Sequence, residues 1–230
     1  MKATPGARTW MAAGVRHELL TRVFPALRHD LASPISVIRM AMLMFKHQVT
    51  AKPVDTPAWQ EKIALVEDQV GALARGVRSL RDWELAVSDE GISRSALVAQ
   101  CTALMRAAFE LNGIGIHVAE GLASEDGEEC FPSGAALRYM CLGVLSHLQD
   151  GEPPLSAIRI EPEGRDALRF HATRAEAHPA ERGQPADPHR APRKLAIDAV
   201  ALQLLAEDLG YLVTLDAGTV RLALARSSNH

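Results

Sequence analysis

The stretch LRHDLASPISVIRMAMLMF, residues 27–45, decides how the first third of the chain folds. Leu27, Leu31, Ile35, Ile38, Met42 and Phe45 step by three and four, the period of an amphipathic α-helix with one buried face. His29 falls on roughly the opposite side of that helix, at about 100° per residue. Ala32, Ser33 and Ser36 stand near it in angle, and their small side chains leave the imidazole accessible. Val37, Met40, Leu43 and Met44 also lie off the stripe, an apolar face that suits a docking partner. Pro34 removes a backbone donor, which should kink the helix and free the carbonyl of Asp30. Asp30 is placed to accept a hydrogen bond from an imidazole N–H of its neighbour His29. That would hold one tautomer and leave the other nitrogen a free lone pair for nucleophilic attack.

The segment KHQVTAKPVDTPAW, residues 46–59, breaks the pattern with Pro53 and Pro57. Asp55 or Thr56 can cap a new helix with Pro57 in its first turn. Ile63, Val66, Val70, Leu73, Val77 and Leu80 again step by three and four. Two such helices joined by a short loop make an antiparallel hairpin. One hairpin has too little core alone, so the near-heptad stripes predict pairing with a second copy into a four-helix bundle.

After SDEGIS, residues 88–93, the periodicity changes. Residues 95–112 read as a helix, IGIHVAE at 114–120 as a strand, and SGAALRYMCLGVLSHLQD at 133–150 as a buried helix capped by Ser133. LSAIRIEPEGRDALRFHAT, 155–173, reads as a hairpin turning at EPEGRD. Residues 174–193, rich in Pro, Ala and charge, read as a loop. Residues 194–210 read as a helix stopped by Gly210, and YLVTLDAGTVRLALA, 211–225, as a last hairpin turning at DAG. The expected class is α+β: a helical hairpin over 1–90, forming a dimeric four-helix bundle, then an α/β sandwich over 91–230.

Composition narrows the function. The 230 residues are 47% hydrophobic but only 4% aromatic, so the core is aliphatic. A net charge of −3 offers no electrostatic case for nucleic acid. Cys101, Cys130 and Cys141 form no close pair in sequence and no metal spacing, as in a reducing compartment. No run approaches a membrane span of roughly 20 residues. These features point to a cytoplasmic protein without a membrane anchor.

HDLASPIS, residues 29–36, resembles the phosphoacceptor box of histidine kinases: His, an acidic residue, Leu, any residue, a small polar residue, Pro. His29, Asp30, Leu31, Ser33 and Pro34 each match. The hairpin resembles the family's dimerisation and histidine-phosphotransfer domain, and the second part resembles its ATP-binding domain in order of elements, over roughly residues 20–225. RHELLT, residues 16–21, offers a second His, acidic residue, Leu and Thr around His17, but it lacks the proline, and Pro25 separates it from the heptad stripe.

The resemblance fails at the nucleotide. Where the family has two Asn in its metal-binding helix, this chain has Gly143 and His147. No Asp-x-Gly-x-Gly occurs, and the expected lid region holds the single Gly183. Without glycines for close backbone approach, a triphosphate has no cradle. His147 reads as a residue tolerated on a helix that has lost its ligand, in preference to a metal ligand. His171 and His178 read as surface or loop.

The resemblance then implies a dimeric histidine phosphotransferase with a degenerate kinase-like second domain. It would shuttle a phosphoryl group between response-regulator receiver domains, free or carried on a hybrid histidine kinase. It would need no cofactor of its own, the receiver supplying Mg²⁺. His29 would be the nucleophile and Asp30 its orienting base. Arg28, Ala32, Ser33, Ser36, Met40, Leu43 and Met44 would meet the partner, Arg28 neutralising phosphoryl charge. Three rivals stand beside it: a pseudokinase scaffold with His29 a relic, a receiver phosphatase using Ser33, and a kinase with an unorthodox nucleotide site.

Overall fold

Helix α1 runs without interruption from Pro5 to Val49, 45 residues, through both Pro25 and Pro34. The structure, a computed structural model, describes residues 4–49, 56–85, 91–125, 127–174 and 195–227. The helix continues through Pro25, expected to separate His17 from the heptad stripe, and through Pro34, where a kink was expected. Each proline deletes one backbone bond to the residue four before it, while the flanking turns keep theirs. The chain divides into two units, residues 23–87 and residues 1–22 together with 88–230. The first 22 residues therefore belong with the α/β part, unlike the division at 90 read from sequence.

In the hairpin unit, α2 spans Thr56–Ser79 and passes into a 3-10 turn, Leu80–Trp83. Asp55, one of the two expected caps, lies outside the described residues. The two helices meet at both ends of their contact. Phe45 packs edge-on against Trp59, with ring centroids 5.4 Å apart and planes at 65°. At the other end Gly76 lies so near Leu31 that a Cβ there would stand 2.9 Å from its Cδ2. Leu27, Pro34 and Ala41 are buried, and Leu31, Ile38 and Phe45 half-buried. Ile35 and Met42, expected in the same stripe, are exposed, as are Ile63, Val70 and Val77 on α2. A single hairpin offers each helix one apolar neighbour, which covers only part of a stripe this wide.

The α/β unit begins with β1, Ile92–Ser93, paired antiparallel with β3, Cys130–Phe131. Helix α3, Arg94–Leu111, is capped by Ser93, whose hydroxyl accepts from the Ala96 amide. A mixed sheet follows in the order β2-β4-β5-β7-β6. Its strands are β2 Gly115–Val118, β4 Leu155–Glu163, β5 Ala167–Arg174, β6 Val213–Asp216 and β7 Thr219–Ala223. Only β2 and β4 run parallel; both hairpins expected from sequence form. Alternation sorts the faces. Ile158, Ile160, Leu168, Phe170, Val220 and Leu222 are buried. Arg159, Glu161, Glu163, Arg169 and Arg221 form ion pairs across the other face, where His171 also lies beside Glu161.

Helix α4, Gly134–Asp150, is buried along nearly its whole length. Ser133 sits at its start but does not cap it: a left-handed backbone (φ 63°) leaves its hydroxyl without a cap bond. Helix α5 is shorter than expected, Ala199–Leu209, with Asp198 accepting from the Ala201 amide. Residues 195–198 precede it in non-helical form. The expected loop at 174–193 lies, apart from Arg174, outside the described residues. Cys101 and Cys141, distant in sequence, come together where α3 packs on α4.

Arg22 explains why 195–198 is not helical. Its guanidinium donates to both carboxylate oxygens of Asp150 at 3.1 and 2.8 Å, to the Leu195 carbonyl at 2.8 Å, and to Glu18 at 3.1 Å. Asp150 also accepts from the Ile197 amide at 2.8 Å, and the Ile197 carbonyl meets His147 Nδ1 at 2.8 Å. Ion pairs from Arg8 to Glu207 and from Arg16 to Asp208 tie the same helical segment to α5. The Arg22 side chain is only 8% exposed. Arg22→Ala should therefore cost about 3 kcal/mol, since it strands a half-buried carboxylate. Chemical denaturation of the full chain measures this, and Arg22→Lys, lacking the fork, should recover only part of it.

A second tie predicts an acid limb. Burial pushes the Glu128 carboxyl up. Hydrogen bonds from the Ser95 hydroxyl and amide and the Ser93 hydroxyl, with the charge of Arg94, outweigh it and hold Glu128 below the ordinary carboxylate range. A depressed folded-state pKa contributes stability above the unfolded value that is lost as pH falls through the folded one. Melting temperature should thus fall on acidification below the usual glutamate range, and Glu128→Gln should flatten that fall.

Candidate functional site

His29 sits in the middle of α1 with its side chain 81% exposed. Helical geometry places Ser33, Ser36, Met40 and Leu43 at steps of 4, 7, 11 and 14 from it. These steps form one stripe running ~21 Å along the axis. Every member of that stripe is exposed, as are Arg28, Asp30, Ala32 and Met44. The structure thus brings the residues singled out in the sequence onto one open side of the helix.

His29 Nδ1 lies 3.6 Å from Asp30 Oδ1, and Asp30 is itself 70% exposed. That distance suits an ion pair when the ring is charged; it is longer than the tautomer-fixing hydrogen bond expected. The carboxylate stands on the Nδ1 side, so Nε2 is the nitrogen that points away from it. The Ser36 hydroxyl donates to the Ala32 carbonyl at 3.1 Å, the backbone one turn back. Pro34 is buried beneath this stripe. Its missing N–H leaves the carbonyl of Asp30, one turn back and next to His29 in the chain, without its usual helical donor.

Beyond the stripe, a groove of about 570 Å³ opens between α1 and α2. Met40 and Met44 line it with Val37, Leu65, Lys62 and Asp68. Leu43, grouped with the methionines in the sequence reading, is exposed but is not part of the groove. His17, the competing histidine, is exposed on the segment of α1 that belongs to the α/β unit.

In the α/β unit the positions in doubt are engaged in packing. A Cβ on Gly143 would stand 2.9 Å from Leu205 Cδ2, 3.1 Å from Leu202 Cδ1 and 3.8 Å from Leu19 Cδ1. Leu19 and α5 therefore lie directly on the α4 backbone there. His147 spends its Nδ1 on the Ile197 carbonyl. His171 meets Thr219 at 3.2 Å and Glu161 at 3.5 Å on the solvated sheet face. His178 lies outside the described residues. No cluster of three potential metal ligands occurs among the described residues. No described helix is long and apolar enough to cross a membrane.

Sequence reasoning missed Arg22 and Leu19. The signal was present, since Ala12, Leu19, Val23 and Leu27 continue the apolar period of α1 backwards through Pro25, and all four are buried.

No protein-family model matches the chain, and comparison with curated proteins finds no match. Among solved structures it is similar to the histidine kinase AdeS of Acinetobacter baumannii, with 13% identity and a TM-score of 0.36 over 85% of this chain and 98% of that one. A histidine kinase from Burkholderia phymatum STM815 is similar at 15% identity and a TM-score of 0.38, over 87% and 98%. Full-length ShkA, solved in complex with AMPPNP, is similar at 16% identity and a TM-score of 0.34, over 90% of this chain and 47% of that one.

Proposed function

We propose that the protein is a phosphorelay intermediate that carries a phosphoryl group on His29 between receiver domains of response regulators. The observation that carries this reading is the open imidazole of His29, flanked by Asp30 and followed along the same stripe by Ser33, Ser36, Met40 and Leu43.

The chemistry needs little from this chain. Nε2 of neutral His29 attacks the phosphorus of an aspartyl phosphate; a P–N bond forms, the acyl P–O bond breaks and the aspartate carboxylate leaves. The ring becomes cationic with its proton on Nδ1, facing Asp30, whose charge stabilises it. A second receiver's aspartate then attacks phosphorus, the P–N bond breaks and the neutral ring returns. Catalysis is positioning and charge neutralisation, with the receiver contributing Mg²⁺. The small residues Ala32 and Ser33 leave room for the acidic pocket, Arg28 is available to offset phosphoryl charge, and the groove at Met40 and Met44 seats the partner. The exposed seven-residue repeats of Ile63, Val70 and Val77, and of Ile35 and Met42, favour a homodimer. Packing at Gly143 and the use of His147 as a backbone anchor favour a relay over an ATP-dependent kinase.

Incubation with a phosphorylated receiver should place an acid-labile label on the protein. His29→Gln should lower it at least about 100-fold, as expected for loss of a nucleophile; His17→Gln should leave it unchanged. Label from ATP alone would overturn the relay. Receiver binding without any label would leave a scaffold. Gly143→Asn, which restores the kinase residue, should cost about 1–3 kcal/mol by overpacking against Leu202 and Leu205, and equilibrium dialysis should detect no ATP binding.

A further inference from the structure

Cys101 on α3 and Cys141 on α4 are both fully buried, with relative exposure of 0%. The Cys101 sulfur lies 3.8 Å from the Arg138 carbonyl, and Arg138 is one turn before Cys141 on the same face of α4. One residue before Cys101, Gln100 accepts from Arg138 Nε at 2.8 Å, so two neighbouring residues of α3 register on one turn of α4. Hydrogen bonding with the Cys101 thiol, and then burial, push the Cys141 thiol well above its ordinary range. The third cysteine, Cys130, is exposed on β3.

We infer that Cys101 and Cys141 are a reversible dithiol–disulfide pair that staples α3 to α4 under oxidising conditions. The oxidant required is a low-molecular-weight disulfide such as glutathione disulfide. One cysteine thiolate attacks a sulfur of that disulfide, forming a mixed disulfide and expelling a thiolate. The second cysteine thiolate attacks the protein sulfur of the mixed disulfide and expels the other half. Two electrons pass to the oxidant, and the two thiol protons end on the expelled thiolates. Reactivity follows from the site. Buried thiols with little thiolate react slowly, so exchange proceeds through openings that part α3 from α4. Once formed, the bond closes the loop from 101 to 141 and restricts the unfolded chain. The pair thus records oxidation that coincides with loosening of the α/β unit, and locks that unit afterwards.

The test uses the full chain with Cys130→Ser, which removes the exposed thiol. Glutathione disulfide is added in buffer and in sub-denaturing urea, followed by non-reducing peptide mapping. The expected result is a mass loss of about 2 Da, a linked Cys101–Cys141 peptide, and a rate that rises with urea. Melting temperature should rise by about 10 °C and return on reduction with dithiothreitol. Adding Cys141→Ser should leave only a glutathione adduct. Mixed disulfides without the link, or a link that leaves the melting temperature unchanged or lower, would overturn the inference.

Discussion

The fork from Arg22 to Asp150 is the contact on which the α/β unit depends. Its bidentate geometry fixes the end of α4, its remaining donors hold the Leu195 carbonyl and Glu18, and Asp150 in turn holds the Ile197 amide. With Arg22 and Asp150 both mostly shielded from water, breaking the pair would strand a charge. The segment before α5 is therefore held in non-helical form, and α5 starts only at Ala199. Leu19, one turn before Arg22, lies against the α4 backbone at Gly143. One short stretch of α1 supplies both the polar fork and the apolar contact.

This arrangement bears on chemistry. A helix whose Gly143 touches Leu202, Leu205 and Leu19, and whose His147 anchors a backbone carbonyl, uses its side chains for cohesion. Farther along α1 the environment is the reverse. His29, Ser33, Ser36, Met40 and Leu43 face solvent, and the groove beside Met40 and Met44 adds an apolar contact surface. An open imidazole beside a carboxylate is suited to meeting a reactive group carried by another protein. That contrast between a closed α/β unit and an open helix face underlies the relay proposal.

Much of the fold was legible in the sequence because periodicity encodes burial directly. The steps of three and four in Leu27 to Phe45 and Ile63 to Leu80, and the alternation in β4, β5 and β7, placed most elements within a few residues. The errors have physical causes. Pro25 read as a break, but a long helix tolerates one missing bond when its neighbours hold and its face is covered. Ser133 read as a cap, but its left-handed backbone leaves the hydroxyl without a cap bond. Residues 195–198 read as helix because their composition is helical, while three side chains far away in sequence hold them otherwise. Of the candidate site, the exposure of His29 and its companions followed from helical angle alone; the 3.6 Å separation from Asp30 did not, because rotamers are set by local packing and solvent.

By itself the sequence determined the helix that bears His29, the side of that helix on which it lies, and the class of the domain that follows, since these depend on near-neighbour spacing along the chain. Only the tertiary structure decided that the first 22 residues belong to the α/β unit, that Gly143 and His147 serve packing, and that Cys101 meets Cys141. Those outcomes join residues 37 to 199 positions apart, as in Cys101 with Arg138 and Arg8 with Glu207. Such pairings follow from which surfaces meet when helices dock, information that no local period carries.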